Sequence, residues 1–173
     1  MKNYKIRKAK TDDLRIINDI YNQAVVKKYQ TADIELITMV SRKLWFINHN
    51  VEKYPIFVLE NNNKIVGWVS LSSYRTGRKA LETTAEVSYY VHNDYQNRGI
   101  GTVLLKSAID ISAEYNFKNL IAILLESNIR SIKLLEKFNF KSWGTLPKIA
   151  KIDGKYYDHL YYGLKLVTNQ CYI

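Results

Sequence analysis

The chain carries the stretch Gln96-Asn97-Arg98-Gly99-Ile100-Gly101 between a strand-like run that ends at Val91 and a helix-like run that starts near Ile100. Two glycines let the backbone turn sharply and approach a ligand closely. The N–H groups in the first turn of a helix have no partner within the helix, so they are free to bind an anion. The stretch therefore predicts a simple strand-to-helix turn or a phosphate-binding turn, and the surrounding sequence must decide between them.

The residues after the glycines have the spacing of an amphipathic helix. Apolar and small side chains recur at Ile100, Val103, Leu104, Ser107, Ala108 and Ile111. This spacing places them on one helix face, which we expect to pack on a sheet. The N-terminus of the helix should therefore be held in a fixed position and remain exposed.

Periodicity and turn residues divide the rest of the chain into further elements. Two tight turns are predicted, at Asn61-Asn62-Asn63 and at Asp153-Gly154. Helices are predicted from a Thr11 cap, over 35–51 and from an Asn128 cap to 138, and strands over 4–9, 56–60, 64–71, 82–91, 120–125, 140–147 and 156–167. The order predicts one α/β (α+β) domain over residues 1–173, with a mixed sheet and helices on both faces.

Composition narrows the function classes. The net charge of +10 is compatible with nucleic acid, a membrane surface or a polyphosphate ligand as partner. The 26 Lys and Arg residues are spread along the chain, however, and no nucleic-acid-binding module is recognisable, so a solvated basic surface is favoured over a nucleic-acid partner. No apolar run has the length of a membrane span, and the first residues lack the apolar segment of a secretory signal, so we expect a cytoplasmic protein without membrane association.

Disulfide and metal chemistry have little support in the sequence. The single cysteine, Cys171, excludes an internal disulfide and leaves no thiolate cluster. The three histidines, His49, His92 and His159, are scattered along the chain. We therefore expect no metal cofactor.

Longer motifs connect the glycine turn to a known superfamily. The element order, Gln96-x-x-Gly99-x-Gly101 and the downstream run Asn128-x-x-Ser131-x-x-Leu134-x-Glu136-Lys137-Phe138-Asn139-Phe140 resemble the GNAT superfamily of acyl-CoA N-acyltransferases over nearly the whole chain. A narrower set resembles the phosphinothricin and methionine sulfoximine acetyltransferase branch: Tyr21-Asn22-x-Ala24, Trp45-Phe46, Tyr54-Pro55-Ile56, Gly67-Trp68 and Glu86-x-x-x-Tyr90-Val91. The resemblance implies a sheet of about seven mostly antiparallel strands, splayed between the fourth and fifth.

The resemblance also implies a binding mode for acetyl-CoA, the expected co-substrate. The backbone groups of Tyr89 and Val91 would bind the pantetheine arm as if it were an added strand. The turn would hold the pyrophosphate through Gln96, Asn97, Arg98, Gly99, Ile100, Gly101 and Thr102. Asn128 and Ser131 would contact the pantetheine end, although an Asn at this place is equally suited to be a plain N-cap and Ser131 a neutral helix position.

Catalysis by such an enzyme needs a base, because a free α-amine is mostly protonated at neutral pH. Alternation of strand 82–91 places Glu86 on the same face as Tyr90, and Glu86 is our candidate base. Roughly 17 Å along the strand separates it from Val91, so a water relay or a splayed strand is expected. The other interpretation of Glu86 is a solvent-facing residue on an edge strand. A backbone N–H near Tyr90 or Val91 would stabilise the oxyanion.

Two positions depart from the family pattern. Relatives usually carry Tyr or His where this chain has Leu135, which cannot donate a proton to the leaving thiolate. The thiolate would then leave unassisted, or water, Tyr161 or Tyr162 would supply the proton. Asn139 replaces the usual glycine, a mild change because asparagine tolerates the left-handed conformation that ends a helix.

Substrate recognition is assigned to the loops around Thr31 and Arg75, where the guanidinium could pair with a carboxylate. Glu82 stands where the related branch tends to carry another arginine, which leaves the acceptor open. The first hypothesis is an N-acetyltransferase for a small amine, an amino acid or an analogue such as phosphinothricin or methionine sulfoximine. The alternatives are acetylation of a protein or peptide N-terminus and a non-catalytic module that binds CoA or nucleic acid. A homodimer is expected, as relatives commonly form one.

Overall fold

The described residues contain seven strands, which form one sheet in the order β1-β2-β3-β4-β5-β7-β6. The structure, a computed structural model, describes residues 4–166, so Cys171 and the predicted strand end at Val167 lie outside the described residues. The strands are β1 (Tyr4–Lys8), β2 (Ile56–Asn61), β3 (Lys64–Ser73), β4 (Thr84–Val91), β5 (Asn119–Leu125), β6 (Lys141–Ile152) and β7 (Lys155–Lys165). The helices are α1 (Leu14–Val26), α2 (Met39–Asn48), α3 (Ile100–Glu114) and α4 (Ile129–Lys137). The predicted mixed α/β class is confirmed.

The two predicted tight turns are both present. Asn62 and Asn63 have φ angles of 49° and 61° between the paired ends of β2 and β3. Asp153 and Gly154 have φ angles of 48° and 78° between β6 and β7. Positive φ at both central residues is the geometry of a two-residue hairpin turn, and asparagine, aspartate and glycine adopt it at low cost.

The sheet opens between β4 and β5, which are parallel neighbours. β4 pairs with β5 at three positions, Thr84 with Asn119, Ala85 with Leu120 and Glu86 with Ile121. Both strands continue beyond this point, β4 as far as Val91, but they are no longer paired. The two strands therefore separate immediately after Glu86, which confirms the predicted splay.

Helices cover both faces of the sheet. On one face, α3 and α4 bury Leu104, Leu105 and Leu135 against Ala85 and Val87 of β4. On the other face, a second cluster joins α1 to β2 and β3: Leu14, Ile17, Ile20, Ile56, Val58 and Trp68. In residues 4–166, no helix combines the length and the hydropathy that crossing a membrane requires. The alternation of β4 thus divides its side chains between two environments, as the sequence predicts.

Two helix starts differ from the prediction. Thr11 is not the cap of α1: Thr11–Asp13 is a short 3₁₀ turn, and the carboxylate of Asp13 accepts the Lys10 N–H at 2.7 Å. The second helix begins at Met39 instead of Glu35, with Thr38 as its N-cap. The cause is tertiary, because the Asn22 side chain bonds both the N–H and the C=O of Ile37, at 2.9 and 3.0 Å.

The strand boundaries also differ at two places. β4 begins at Thr84 instead of Glu82, because residues 79–81 form a short 3₁₀ turn before it. β6 continues to Ile152, beyond the predicted end at Pro147. Pro147 is tolerated because β6 lies at the edge of the sheet and its pairing with β7 is irregular between Leu146 and Ala150.

Gly67 is a position where the sheet tolerates no side chain. A Cβ there would lie 2.9 Å from both the Leu104 side chain and the Tyr90 carbonyl oxygen. We expect Gly67→Ala to reduce the free energy of unfolding by about 1–3 kcal/mol, as overpacked cores do, in urea unfolding followed by circular dichroism. Gly144→Ala is the matched control, because nothing lies within 4 Å of its Cβ. Equal stability of the two variants would contradict this packing argument.

Candidate active site

A cleft of about 240 Å³ opens where β4 leaves β5. Its wall is formed by the end of β4, the glycine turn, the start of α3 and the start of α4. We call it the glycine-turn cleft, and it is lined by Ala24, Gln30, Tyr89, Tyr90, Val91, Tyr95, Gln96, Asn97, Gly99, Ile100, Gly101, Thr102, Asn128, Arg130, Ser131 and Leu134. Every expected cofactor-binding residue except Arg98 therefore lines one cleft.

The glycine turn has the backbone geometry of an anion-binding loop. Asn97 and Gly99 adopt left-handed conformations, with φ angles of 61° and 82°. Val103 N–H donates to the Gly99 carbonyl at 3.1 Å, the first helical hydrogen bond of α3. The amides of residues 100–102 therefore have no acceptor within the helix, and they line the cleft. This end of α3 is suited to bind an anion.

Cationic side chains surround this turn. The Gln96 side-chain oxygen accepts from Lys27 Nζ at 3.2 Å and from Arg130 Nη1 at 2.9 Å. Arg98 lies outside the lining, with its guanidinium 5.3 Å from the centre of the Tyr95 ring. Gln96 thus holds two cations beside the free amides, and a polyanion entering the cleft would meet positive charge from three elements.

The exposed edge of β4 has a definite hydrogen-bonding polarity. His92 N–H donates to the Val66 carbonyl at 2.9 Å, and Tyr90 is opposite Trp68 in the antiparallel pairing with β3. Because hydrogen-bonded and non-bonded pairs alternate, the Tyr90 backbone faces β3 while those of Tyr89 and Val91 face the gap. Of the two N–H groups considered for the oxyanion, the Val91 N–H is therefore the one that faces the cleft.

The start of α4 supplies the other wall of the cleft. The Asn128 side-chain oxygen accepts the Ser131 N–H at 3.3 Å, so the structural role of Asn128 as N-cap is confirmed. Asn128 and Ser131 also line the cleft. A Cβ on Gly101 would lie 3.1 Å from Leu134 Cδ2, so the second glycine of the turn provides close packing of α3 against α4.

A second cavity, of about 520 Å³, lies on the α1 and α2 side of the sheet. Its floor combines Trp68, Ser70 and Ser72 of β3 with Tyr90, Ser88 and Glu86, which are opposite them on β4. We call it the Glu86 cavity; the rest of its lining is Tyr21, Gln30, Thr31, Ala32, Asp33, Ile37, Ser41, Arg42, Trp45, Ile123, Leu124, Leu125 and His159. Tyr90 and Gln30 line both cavities, so the two adjoin at these side chains.

Glu86 is a partly buried carboxylate without a partner. It forms no hydrogen bond or ion pair with any other residue in the range 4–166. Burial raises the pKa of Glu86 above its ordinary value. A carboxylate with a raised pKa, facing a cavity, has the properties of a general base, and the interpretation of Glu86 as a plain solvent-facing residue does not describe this environment.

Tyr90 separates the two cavities. Its ring packs against those of Trp68 and Tyr21, each at a centroid distance of 4.8 Å. Burial raises the pKa of Tyr90 far above its ordinary value, and the neighbouring Tyr21 acts in the same direction. The hydroxyl therefore stays protonated over the physiological pH range.

The two expected substrate residues lie in different cavities. Thr31 lines the Glu86 cavity, where its hydroxyl is 3.0 Å from that of Tyr21. Arg75 lines a separate cavity of about 440 Å³, together with Lys53 and Glu82, which form an ion pair at 3.6 Å. The two cavities share the lining residue Ser72, so the structure places Arg75 beside the Glu86 cavity and not in its wall.

The position of Leu135 explains why it is not a proton donor. Leu135 is 1% exposed and belongs to the core under α4, whereas its neighbour Leu134 faces the cleft. Tyr162 packs in the same core and donates to Glu136 at 3.3 Å, so it lies on the opposite side of the sheet from Glu86. Tyr161 contacts the His159 ring at 5.7 Å without lining either cavity. Asn139 has a φ angle of 64°, the left-handed conformation expected for it.

Sequence reasoning missed Arg42 and the pair Lys27 and Arg130. Arg42 lies on α2 and is 5% exposed in the wall of the Glu86 cavity. The sequence contains one indication of its role: Arg42 lies three residues before Trp45, on the same helix face. Lys27 and Arg130 had no local signal, since their common partner Gln96 is 69 and 34 residues away.

Comparisons with known proteins agree with this geometry. Residues 15–140 match the acetyltransferase (GNAT) family. The chain belongs to the GNAT family of acetyltransferases. YwnH of Bacillus subtilis (strain 168), provisionally named a phosphinothricin acetyltransferase, is 37% identical over 154 residues, covering 88% of this chain and 93% of YwnH.

Two further relatives carry more specific names. The L-methionine sulfoximine/L-methionine sulfone acetyltransferase of Salmonella typhimurium (strain LT2) is 27% identical over 93% of this chain and 94% of its own length. YncA of Salmonella typhimurium, whose structure was solved with its cofactor acetyl-CoA, has a TM-score of 0.89 and 27% identity, covering 96% of this chain and 95% of that chain. The GNAT protein is thus similar over nearly its whole length to acetyltransferases named for phosphinothricin and for methionine sulfoximine, the branch that its motifs resemble. Among residues 4–166, no three His, Cys, Asp or Glu side chains are grouped to hold a metal.

The environment of Glu86 predicts an unusual stability effect. Because the pKa of Glu86 is raised in the folded state, folding favours its protonated form, and stability is lost as the pH rises through that pKa. We expect Glu86→Gln to raise the melting temperature at pH 7 and to leave it unchanged below about pH 4, where Glu86 is protonated in both states. Thermal unfolding followed by circular dichroism measures both values. Glu114→Gln, at an exposed position on α3, should show neither effect; a lower melting temperature for Glu86→Gln at pH 7 would contradict the argument.

Proposed function

We propose that this GNAT protein transfers the acetyl group of acetyl-CoA to the primary amine of a small molecule, a free amino acid or an analogue such as phosphinothricin or methionine sulfoximine. The whole chain, 1–173, would act as one acetyltransferase domain. The observation that carries the proposal is the meeting of two cavities at Tyr90. One contains the free amides of a helix N-terminus, and the other contains a carboxylate with a raised pKa that is unpaired within residues 4–166.

Acetyl-CoA would occupy the glycine-turn cleft. Its pantetheine arm would lie along the gap-facing backbone of Tyr89 and Val91 and end beside Asn128 and Ser131. Its pyrophosphate would bind the amides of the glycine turn, with positive charge from Arg98. The chemistry of these donors fits the ligand, and YncA, with 27% identity, was solved with acetyl-CoA as its cofactor. Bound acetyl-CoA supplies an activated acyl group as a thioester.

Glu86 would act as the general base. The acceptor amine arrives mostly protonated, so the carboxylate must accept a proton before or during attack on the thioester carbonyl. Glu86 is opposite Ser72, four residues from the Tyr90 position, so the proton would pass through water held by the cavity hydroxyls. The Val91 N–H, which faces the gap, would stabilise the oxyanion.

The leaving thiolate needs little assistance. A thiol has an ordinary pKa of about 8.5, so the thiolate is a good leaving group at neutral pH. Tyr90 stays protonated at the junction of the cavities, so its hydroxyl would donate a hydrogen bond to the reacting centre. No acid is required at Leu135, whose side chain is in the core.

The acceptor would bind in the Glu86 cavity. Thr31 would contact it there, and Arg75 would meet the distal end of a long acceptor where the two cavities share Ser72. The names of YwnH and of the Salmonella methionine sulfoximine acetyltransferase support a small amino-acid-like amine. A cytoplasmic homodimer remains part of the proposal; exposed apolar side chains on α2, at Val40, Leu44 and Ile47, are compatible with an interface between copies.

Release of thiol from acetyl-CoA tests the function directly. The purified protein is incubated with acetyl-CoA and with L-methionine sulfoximine, L-methionine sulfone, L-phosphinothricin, common L-amino acids or peptides with free N-termini. We expect thiol release that depends on a free amino acid or analogue, with the N-acetyl product identified by mass spectrometry. If only the peptides cause thiol release, the acceptor is a protein or peptide N-terminus instead of a free amino acid. If no amine causes thiol release and the protein instead binds RNA or DNA in a salt-sensitive manner, the proposed acetyltransferase activity is refuted.

Glu86→Gln tests the base. We expect kcat to fall by a factor of about 100 or more, the usual contribution of general base catalysis, with an unchanged KM for acetyl-CoA. Because the wild-type base is lost as Glu86 becomes protonated, the acid limb of the wild-type pH–rate profile should start above the ordinary carboxylate range and change shape in the variant. Glu114→Gln serves again as the control. An unchanged profile in Glu86→Gln would remove Glu86 from this role.

Gly99→Ala tests the assignment of the turn. Gly99 and Gly154 have nearly equal φ angles, 82° and 78°, and nothing lies within 4 Å of a Cβ at either position. Alanine should therefore cost both positions about the same stability, about 1–2 kcal/mol for the left-handed conformation. We expect only Gly99→Ala to raise the KM for acetyl-CoA, by about tenfold or more. Equal KM values in the two variants would argue against pyrophosphate binding at the turn.

A further inference from the structure

The wall of the Glu86 cavity contains one arginine, Arg42, in an unusual environment. Its guanidinium carbon lies 4.7 Å from the Tyr21 ring centre, 4.8 Å from that of Trp45 and 5.8 Å from that of Trp68. Its Nε donates to the Asn18 side-chain oxygen at 3.1 Å. The side chain is therefore fixed on three aromatic faces and one hydrogen bond, and only 5% of the residue is exposed.

Arg42 has no anionic partner within residues 4–166. The one hydrogen bond of its side chain there is the Nε bond to a neutral amide, and it forms no ion pair with a described carboxylate. Asp33 acts on Arg42 through its charge alone, and its carboxylate accepts a hydrogen bond from the Tyr21 hydroxyl. A buried cation without a counter-ion is costly, and cation–π contacts return only part of that cost. The two terminal nitrogens, four N–H donors in a planar fork, remain for an anion from outside.

The position of Arg42 along the cavity floor suits one kind of anion. Its guanidinium lies over Trp68, which is opposite Tyr90, while Glu86 is opposite Ser72. The two ends of this floor are roughly 13 Å apart, four residues along a strand. The Tyr90 end adjoins the gap-facing backbone of Tyr89 and Val91, where the thioester would lie. An amine that attacks there, with a carboxylate on the adjacent carbon, would place that carboxylate at Arg42.

The neighbouring groups fit the same ligand. The indole N–H of Trp68 has no hydrogen-bond partner among the described residues, and Trp68 lines the cavity. The rings of Tyr21, Trp45 and Tyr90 also line this region, and they would surround the apolar part of an amino acid. A side chain on the substrate would extend along Ser70 and Ser72 toward the cavity that contains Arg75.

We propose that Arg42 binds the α-carboxylate of the acceptor through its planar fork and thereby restricts the GNAT protein to free α-amino acids and their analogues. This inference rests on the proposed function and deepens it. A peptide N-terminus and a simple amine have no carboxylate on the carbon that bears the amine, so they leave the guanidinium unpaired. Arg75 is then free to recognise the distal end of the acceptor.

Matched acceptors test the assignment. The two pairs are L-methionine sulfone with its carboxamide and L-leucine with L-leucinamide. The members of each pair differ in one charge, and kcat/KM is measured for every compound. We expect the wild type to prefer the acid by about 100-fold, the size of a lost charge-assisted hydrogen-bond pair. Arg42→Met should lower kcat/KM for the acid by about 100-fold, mostly through KM, and leave the amide within about threefold. Arg42→Lys should recover part of the preference, since it keeps the charge and loses the fork.

Arg75→Met is the control, and it should retain the full preference for the acid. Equal losses for acid and amide in Arg42→Met would show a merely structural role for Arg42 and overturn the proposal. A wild type without preference for the acid, or a preference that disappears in Arg75→Met, would overturn it equally. The wild-type comparison needs no variant, so an absent acid preference overturns the proposal even if Arg42→Met does not fold; Arg42→Lys and Arg75→Met then test the assignment to Arg42.

A binding measurement separates this inference from the proposed function. Trp45 and Trp68 line the cavity, so their fluorescence reports acceptor binding without acetyl transfer. Tighter binding of the two acids than of their amides, lost in Arg42→Met, supports the carboxylate site even where no acetyl transfer occurs. If acetyl transfer occurs but acids and amides bind equally tightly, the proposed acetyltransferase activity stands and the role of Arg42 in carboxylate binding is rejected.

Discussion

The separation of β4 from β5 after three paired residues is the constraint on which the rest of the site depends. Up to Glu86, the two strands satisfy each other's backbone groups in a parallel ladder. Beyond Glu86, the gap-facing groups of Tyr89 and Val91 have no strand beside them. Backbone polar groups at such an edge need another partner, and an extended ligand can take the place of the missing strand. The gap therefore leaves an unpaired backbone edge in the glycine-turn cleft, and this cleft adjoins the Glu86 cavity at Tyr90.

Alternation along β4 gives its backbone and its side chains different roles beside this gap. Its backbone can serve one ligand through the residues that face the gap, while the side chains of Glu86, Ser88 and Tyr90 form the floor of the other cavity. The remaining side chains, Ala85 and Val87, are in the core with α3. A strand has two faces and two edges, and β4 uses all four. This explains why one short element contributes to both cavities and to the packing of the domain.

The electrostatics of the two cavities differ in kind. Around the glycine turn, positive charge comes from flexible side chains and from free amides, a combination suited to a solvated polyanion. In the Glu86 cavity, Glu86 and Arg42 are partly or fully buried, and neither has an ion pair among the described residues, whereas Asp33 is exposed and accepts a hydrogen bond from Tyr21. Unpaired buried charges reduce stability, so their presence together in one cavity is the usual mark of a functional site.

The sequence by itself determined the elements whose signals are local. The glycine turn, the alternation of β4, the two tight turns and the Asn128 cap depend on backbone conformation and on neighbours a few residues apart, and all were predicted at the correct residues. The tertiary structure alone decided what depends on distant partners. Asn22 bonds Ile37 and so delays the start of α2, Arg75 is separated from Glu86 by a cavity boundary, and Arg42 becomes a buried cation because α1, α2 and β3 bring three aromatic rings around it. Apart from the contact of Arg42 with Trp45, one helical turn away, these contacts join residues far apart in the chain, so no local pattern could reveal them.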